Sequence, residues 1–197
     1  MSTQLNNVLS AIDAVNAQDP NQVEANGAFI AKELLYSQQM SECLAKYWSD
    51  ASEVVQIAVH AQHIKRWHLK RTDYPEGKAG YYAWRIALGK LHADLTSTLM
   101  LEHGYSKEQA ERCAKVLRKE NIKTNDDTQT LEDVACLVFL MHYFDDFSAK
   151  YIAQDNEAKI IRIVQLTWKK MSEKAHNIAL SLTLPKHLAE LVNKALS

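Results

Sequence analysis

Residues Val134-Ala-Cys-Leu-Val-Phe-Leu-Met141 form the longest purely apolar run in the chain and decide its fold. Together with Leu131, this run makes the surrounding helix apolar on every side. Such a helix is typical of the centre of a bundle, where other helices surround it. The run is also much shorter than the ~20 apolar residues that a membrane-spanning helix needs. It therefore predicts a central buried helix, over about 130–154, and no membrane span.

Outward from this helix, the chain is predicted to consist of further helices joined by short breaks. Five Gly and three Pro among 197 residues are about a third of the usual share of these helix breakers. Ser106 with Gln109 is a capping-box pattern, Gly104 suits a left-handed helix end, and Thr130 is expected to cap the central helix. The predicted helices span about 3–18, 27–48, 51–69, 80–103, 106–121, 130–154, 156–182 and 186–197. The sequence thus predicts one compact all-α domain over 1–197 with about eight helices.

Charge and cysteine content exclude several classes of function. Lys and Arg number 23 against 24 Asp and Glu, for a net charge of -1, so overall charge gives no support to nucleic-acid or anionic-membrane binding. The three cysteines form no CxxC pair, which favours a reduced protein without a cysteine metal site. Because the first residues also lack a basic and an apolar leader region, we expect a cytoplasmic protein.

The densest polar and aromatic stretch, 60–92, is the first candidate site. His60, His63 and Trp67 share one face if the third helix extends to 69, and imidazoles there could bind a metal or move protons. Guanidinium groups in the stretch suit a phosphorylated anion and its aromatic rings suit a planar ligand. The candidate ligand-binding residues are Arg66, Trp67, Arg71, Tyr74, Tyr81, Trp84 and Arg85. The alternative is a solvated basic helix end with aromatic core residues.

The second candidate is the acidic pair Glu132-Asp133, expected in the first turn of the central helix. One explanation for the pair is structural, because acidic side chains in the first turn interact favourably with the helix dipole. The other is that a carboxylate shielded in the middle of a bundle needs a cation or a metal as its partner. Both explanations remain open from the sequence.

Four segments resemble a bacterial and fungal family catalogued as domain-of-unknown-function family 4202. They are Lys32-Glu-Leu-Leu-Tyr-Ser37, Ala61-Gln-His-Ile-Lys-Arg-Trp67, Gly80-Tyr-Tyr-Ala-Trp-Arg85 and Thr130-Leu-Glu-Asp-Val-Ala-Cys-Leu-Val-Phe-Leu140. The resemblance covers about 8–185. Some members are labelled glutamyl-tRNA synthetase, but this chain lacks the nucleotide-binding motifs and the length that such an enzyme needs.

The order of these segments also resembles the all-helical HD superfamily of metal-dependent phosphohydrolases. In that superfamily a His, a His-Asp doublet and a later Asp bind the metal. Here Gln62-His63 takes the place of the doublet, Asp133 that of the last Asp, and His92 that of an accessory His, while Tyr36-Ser37 stands where the first His belongs. The resemblance implies an HD-like fold and a divalent metal on His63, His92 and Asp133, with a degenerate motif.

Three functional hypotheses follow. The first is a metal-dependent phosphohydrolase for a small phosphorylated or nucleotide-like substrate, with Glu33 or Glu132 as general base and the arginines stabilising the phosphoryl group. The second is a binding module that holds the same anionic ligand without chemistry. The third is a protein-interaction domain with 60–92 as its surface.

Overall fold

The computed structural model describes residues 2–25 and 27–196, which fold into helices and one β-hairpin. The elements are α1 (Thr3–Asn16), β1 (Gln22–Ala25), β2 (Ala28–Ala31), α2 (Lys32–Tyr47), α3 (Glu53–His60), α4 (Gly77–Glu102), α5 (Lys107–Leu117), α6 (Asp126–Val138), α7 (Phe144–Ile152), α8 (Glu157–Lys170), α9 (Glu173–Ser181) and α10 (Lys186–Leu196). The predicted all-α class broadly holds, but the described residues form ten α-helices rather than about eight. The chain divides into two compact units, 1–131 and 132–197.

The first unit is built from α1 to α5, whose apolar faces form its core. The capping box of Ser106 and Gln109 begins α5 as predicted, and Gly104 follows α4 with a φ of 86°. A core of Leu, Ile, Val and Met side chains removes apolar surface from water, which is the main favourable contribution to folding. Its members include Leu5, Val8, Ile12, Met40, Ile57 and Met100.

The predicted second helix, 27–48, is wrong at its start because β1 and β2 form an antiparallel hairpin there. The hairpin pairs Gln22 with Ala31 and closes at Ala25 and Ala28. Asn26-Gly27 is the sequence signal for such a hairpin, and Gly27 has the positive φ of 77° that such turns favour. Helix α2 begins directly after the hairpin, at Lys32.

The predicted third helix, 51–69, is also too long. Helix α3 ends at His60, and Arg66–His68 forms a separate 3-10 turn. Between them Lys65 adopts a left-handed conformation with a φ of 53°, which is incompatible with a continuing α-helix.

Helix α6 begins at Asp126, four residues before the predicted start at 130. The side-chain oxygen of Asn125 accepts hydrogen bonds from the backbone N–H groups of Asp127 (3.0 Å) and Thr128 (3.3 Å), so Asn125 and not Thr130 is the N-cap. Thr130 lies inside the helix, and Glu132-Asp133 consequently lies beyond the first turn.

The second unit contains the last part of α6 and helices α7 to α10. The predicted helix 130–154 is interrupted by a π-helical segment, Phe139–Tyr143, before α7 continues. The predicted helix 156–182 is two helices, because Met171 is extended and the Ser172 side chain caps α9. Helix α10 begins at Lys186, where the last helix was predicted to start, and the carbonyl of Pro185 accepts from the backbone N–H of Leu188. Within the part of the chain that the structure describes, no helix has the length and apolarity to cross a membrane.

Two substitutions distinguish the observed start of α6 from the predicted one. Removing an N-cap side chain costs about 1 kcal/mol of folding free energy. Asn125→Ala should therefore lower the free energy of unfolding by about 1 kcal/mol, whereas Thr130→Ala should change it by less than about 0.5 kcal/mol. Urea denaturation of the two variants measures both effects. A larger loss in Thr130→Ala would contradict this assignment of the cap.

Candidate functional site

The imidazole of His63 lies between a carboxyl group and a guanidinium group in the first unit. Its Nδ1 is 3.0 Å from Oε2 of Glu33, and its Nε2 is 2.7 Å from Nη1 of Arg66. Because a guanidinium only donates, Nε2 must accept, which leaves Nδ1 to donate to Glu33. These contacts define a neutral imidazole with its proton on Nδ1. We call Glu33, His63, Arg66, Arg85 and His92 the His63 cluster.

One face of α2 contacts His63 from two directions. Glu33 and Tyr36 are three residues apart on this helix and so share a face. The Tyr36 ring stacks on the His63 ring with 4.0 Å between centroids and 14° between planes, and its hydroxyl donates to Oε1 of Gln62 over 3.2 Å. The backbone N–H of Glu33 donates to the buried Asp19 carboxylate, which fixes this first turn of α2. The imidazole is therefore held in both orientation and tautomer.

The left-handed turn at Lys65 places Arg66 beside His63. The buried side chain of Asn16 accepts from the backbone N–H of Lys65 over 3.1 Å. The backbone N–H of Arg66 in turn donates to the carbonyl of His63. Together they bring the Arg66 guanidinium back onto the imidazole.

The prediction that His60, His63 and Trp67 share one helix face is wrong, because α3 ends at His60. His60 instead hydrogen bonds to Asp13 (2.8 Å) and Ser41 (2.7 Å). The two histidines thus have separate partners, and only His63 belongs to the cluster.

Helix α4 supplies the opposite side of the cluster. The Arg66 guanidinium lies 5.1 Å from the centre of the Trp84 ring, and Trp84 Nε1 donates to the carbonyl of Leu69 over 2.9 Å. The His92 ring lies 6.2 Å from the His63 ring. The packing of α4 on this segment therefore brings predicted site residues Arg66, Trp84 and His92 together with His63.

Positive charge surrounds the neutral imidazole. Burial is the largest cause that holds the pKa of His63 well below 6.5, and four cations add to it. These cations are Arg66, Arg85, Lys119 and Lys32. Burial raises the pKa of Glu33, against the opposing effect of Arg66 and Lys32. Arg85 itself is half-buried and forms no ion pair with any described residue.

His92 has an unsatisfied nitrogen. It is 4% exposed, and its Nε2 has no hydrogen-bond partner among the described residues. The same holds for Oγ1 of Thr96, one turn further along α4. Burial, followed by the electrostatic effects of His63, Arg66 and Arg85, keeps the pKa of His92 well below 6.5, while a hydrogen bond to the backbone of Gln62 raises it. Buried polar atoms without a hydrogen-bond partner are uncommon in proteins.

The remaining predicted ligand-binding residues lie in or next to the loop before α4. Arg71 donates to the carbonyl oxygens of Tyr74 (2.9 Å) and Gly77 (3.4 Å) and so holds this loop. Trp67 and Tyr74 are half-buried in it, whereas Tyr81, on α4, is 45% exposed. Of this group, only Tyr81 offers an exposed ring next to Trp84.

The predicted acidic residues of α6 have partners within the second unit. Asp133 accepts hydrogen bonds from the backbone N–H of Ser172 (2.8 Å) and from its hydroxyl, and so anchors the corner between α8 and α9. Glu132 lies 3.2 Å from Nζ of Lys170. Both carboxylates are buried. A buried carboxylate needs a cation as its partner, and for Glu132 this partner is Lys170.

Two of the three residues predicted to hold a divalent metal, His63 and Asp133, already use their ligand atoms in hydrogen bonds. Both ring nitrogens of His63 are already hydrogen bonded, and both carboxylate oxygens of Asp133 accept from Ser172. Among residues 2–25 and 27–196, no three His, Cys, Asp or Glu side chains are grouped in a way that could hold a metal ion. As placed, His63 does not fit a metal ligand, because the guanidinium of Arg66 covers the nitrogen that would bind the ion.

Several residues of the site carry no motif. Asn16 and Lys119 are distant in sequence from 60–92 and become neighbours of this segment only through folding. Tyr36 was noted only at the place of an absent His, and nothing in the sequence marked it as the ring that stacks on His63. Nothing marked Asn16 as the acceptor for the backbone of Lys65 either.

These observations define the class of protein: a mostly helical chain with a buried cluster of a carboxyl group, an imidazole and a guanidinium group. The family model described as a domain of unknown function, DUF4202, matches residues 6–192, and the chain belongs to that family. No curated protein and no solved structure matches the chain.

The low pKa of His63 and His92 predicts how stability depends on pH. In the range between their folded-state pKa and about 6.5, the unfolded chain binds more protons, so stability falls as the pH falls below about 6.5. Urea denaturation across this range should show a shallower loss in His63→Gln than in the wild type. Glu33 titrates with the opposite sign, and it is retained in both proteins.

His68→Gln is the matched control, since it removes an exposed imidazole from the neighbouring 3-10 turn. It should retain the wild-type pH dependence. An equal loss of stability in His63→Gln and the wild type would show that His63 is not held neutral.

Proposed function

We propose that the His63 cluster binds a small phosphorylated or nucleotide-like anion. The observation that carries this proposal is Arg85, a half-buried guanidinium without an ion pair among the described residues, next to a second guanidinium on Arg66. A partly buried cation is costly unless an anion pairs with it. A phosphate group supplies that charge and accepts hydrogen bonds from both arginines.

The charge balance around His63 supports the same ligand class. The His63 cluster contains two guanidinium groups, on Arg66 and Arg85, and one carboxyl group, that of Glu33, which contacts the imidazole. Since the imidazole is neutral, the cluster as described has an excess of positive charge. An anion with two negative charges reduces this excess further than a singly charged one.

Arg66 retains donors for such a ligand. Its Nη1 donates to His63, and its Nε lies 4.0 Å from Oε1 of Glu33, while a guanidinium has five N–H donors in all. The side chain is 25% exposed, so an anion from solvent can reach it. A bound phosphate would take further N–H donors without displacing the contact with His63.

A metal-dependent phosphohydrolase with an HD-like fold remains the alternative proposal. It requires Arg66 to leave Nε2 of His63 before a metal could reach that nitrogen. Metal analysis of the purified chain, together with phosphate release from a panel of phosphate esters, tests it. Stoichiometric metal that is lost in His63→Gln would favour the hydrolase; a ligand recovered unchanged would favour binding alone.

Substitution of the unpaired guanidinium tests the binding proposal. Hydrogen bonds to charged groups contribute about 1.5–3 kcal/mol, so Arg85→Gln should weaken the binding of inorganic phosphate or pyrophosphate by about 10-fold or more. Isothermal titration calorimetry at low ionic strength measures these affinities. Thermal stabilisation by each anion should weaken in parallel.

The matched control is Arg162→Gln, which removes an exposed arginine of α8 in the second unit. It should bind both anions with wild-type affinity. If anion binding weakens equally in the two variants, the effect of Arg85→Gln comes from the lower net charge and not from a site at Arg85. If the wild type binds neither anion, the proposal is rejected. In that case a protein-interaction domain would be the remaining hypothesis.

A further inference from the structure

An exposed aromatic ring lies next to the proposed anion site. Tyr81 is 45% exposed, and its ring centre is 6.0 Å from that of Trp84. Trp84 is buried, and the guanidinium of Arg66 lies 5.1 Å from the centre of its ring. Tyr81 also acts electrostatically on Arg66. The row Tyr81, Trp84, Arg66 and His63 thus leads from solvent to the neutral imidazole.

Tyr81 and Arg85 share one face of α4. They are four residues apart, so their Cβ atoms are about 5–6 Å from each other. The exposed ring and the unpaired guanidinium can therefore contact two parts of one small molecule. A phosphate on Arg85 would place the rest of an ester within reach of the Tyr81 ring.

The start of α4 fixes the position of Tyr81. Gly80 is buried, and a Cβ at this position would lie 1.8 Å from the carbonyl oxygen of Pro75. Only glycine permits this close approach of the loop to the helix. Tyr81, the next residue, is therefore presented from a rigid helix start, although its ring is not needed to fill the core.

We propose that the ligand is a phosphate ester that carries a planar aromatic ring, which stacks on Tyr81 while its phosphate binds Arg85 and Arg66. This inference rests on the proposed function and adds the chemical class of the ligand. Stacking needs only an exposed aromatic face of matching size. It therefore favours ligands with an aromatic ring but does not distinguish one ring from another. The second exposed ring, Tyr82, lies 5.9 Å from the Tyr81 ring and beside Lys78. Of the two, Tyr81 is the ring that contacts Trp84.

The experiment compares two probes that differ by an aromatic base, adenosine 5′-monophosphate and ribose 5-phosphate, with inorganic phosphate as a third ligand. Stacking of a base on an aromatic side chain gives roughly a 10-fold gain in affinity or more. The wild type should bind the nucleotide more tightly than the sugar phosphate by this factor. Tyr81→Leu should bring this ratio close to one.

Two further variants separate stacking from loss of structure. Tyr81→Phe keeps the ring and should retain the wild-type ratio. Tyr82→Leu, a matched change at a ring that is 53% exposed, should retain it as well. Circular dichroism of each variant checks that the helices are intact.

The inference is overturned if the wild type binds both esters equally, or if Tyr81→Leu keeps the full ratio. Either result leaves the anion site standing as long as inorganic phosphate binds and Arg85→Gln weakens it. If inorganic phosphate does not bind at all, the proposed function and this inference both fail.

Discussion

The arrangement on which the site depends is one imidazole shared between an acceptor and a donor. Glu33 takes the Nδ1 proton of His63, and Arg66 donates to Nε2. Because a guanidinium has no lone pair to offer, this pairing is possible only when the imidazole is neutral. Burial and the surrounding cations favour the same neutral form. The geometry and the electrostatics of the first unit therefore agree on a single protonation state.

This constraint decides which chemistry the cluster favours. The nitrogen that would bind a metal instead accepts a hydrogen bond from Arg66, and the two neighbouring guanidinium groups have only limited carboxylate charge to balance them. Binding of an anion uses this excess charge without rearranging the imidazole. Metal binding requires the same guanidinium to move first. Because anion binding leaves Arg66 in place and metal binding requires it to move, an anion site is proposed ahead of a metal-dependent hydrolase.

Local patterns in the sequence predicted much of the fold and only part of the site. The capping box at Ser106 and the left-handed Gly104 were predicted correctly, because a few adjacent residues determine them. The end of α3 was missed, since the turn at Lys65 depends on a hydrogen bond to Asn16, 49 residues away. The 60–92 stretch was identified from its composition, whereas the contact of His63 with Glu33 depends on how α2 packs against α3. Patterns that span one helical turn are readable in a sequence; contacts between helices are not.

Nitrogen NMR of the chain with 15N-labelled histidine tests the central claim most directly, because the ring nitrogens report tautomer and charge separately. Without ligand, His63 should be neutral at pH 7, with a protonated Nδ1 and an unprotonated Nε2 that accepts a hydrogen bond, and Arg66→Met should alter the Nε2 signal. A His63 that is protonated on Nε2, or a Nε2 signal that Arg66→Met leaves unchanged, would contradict the account.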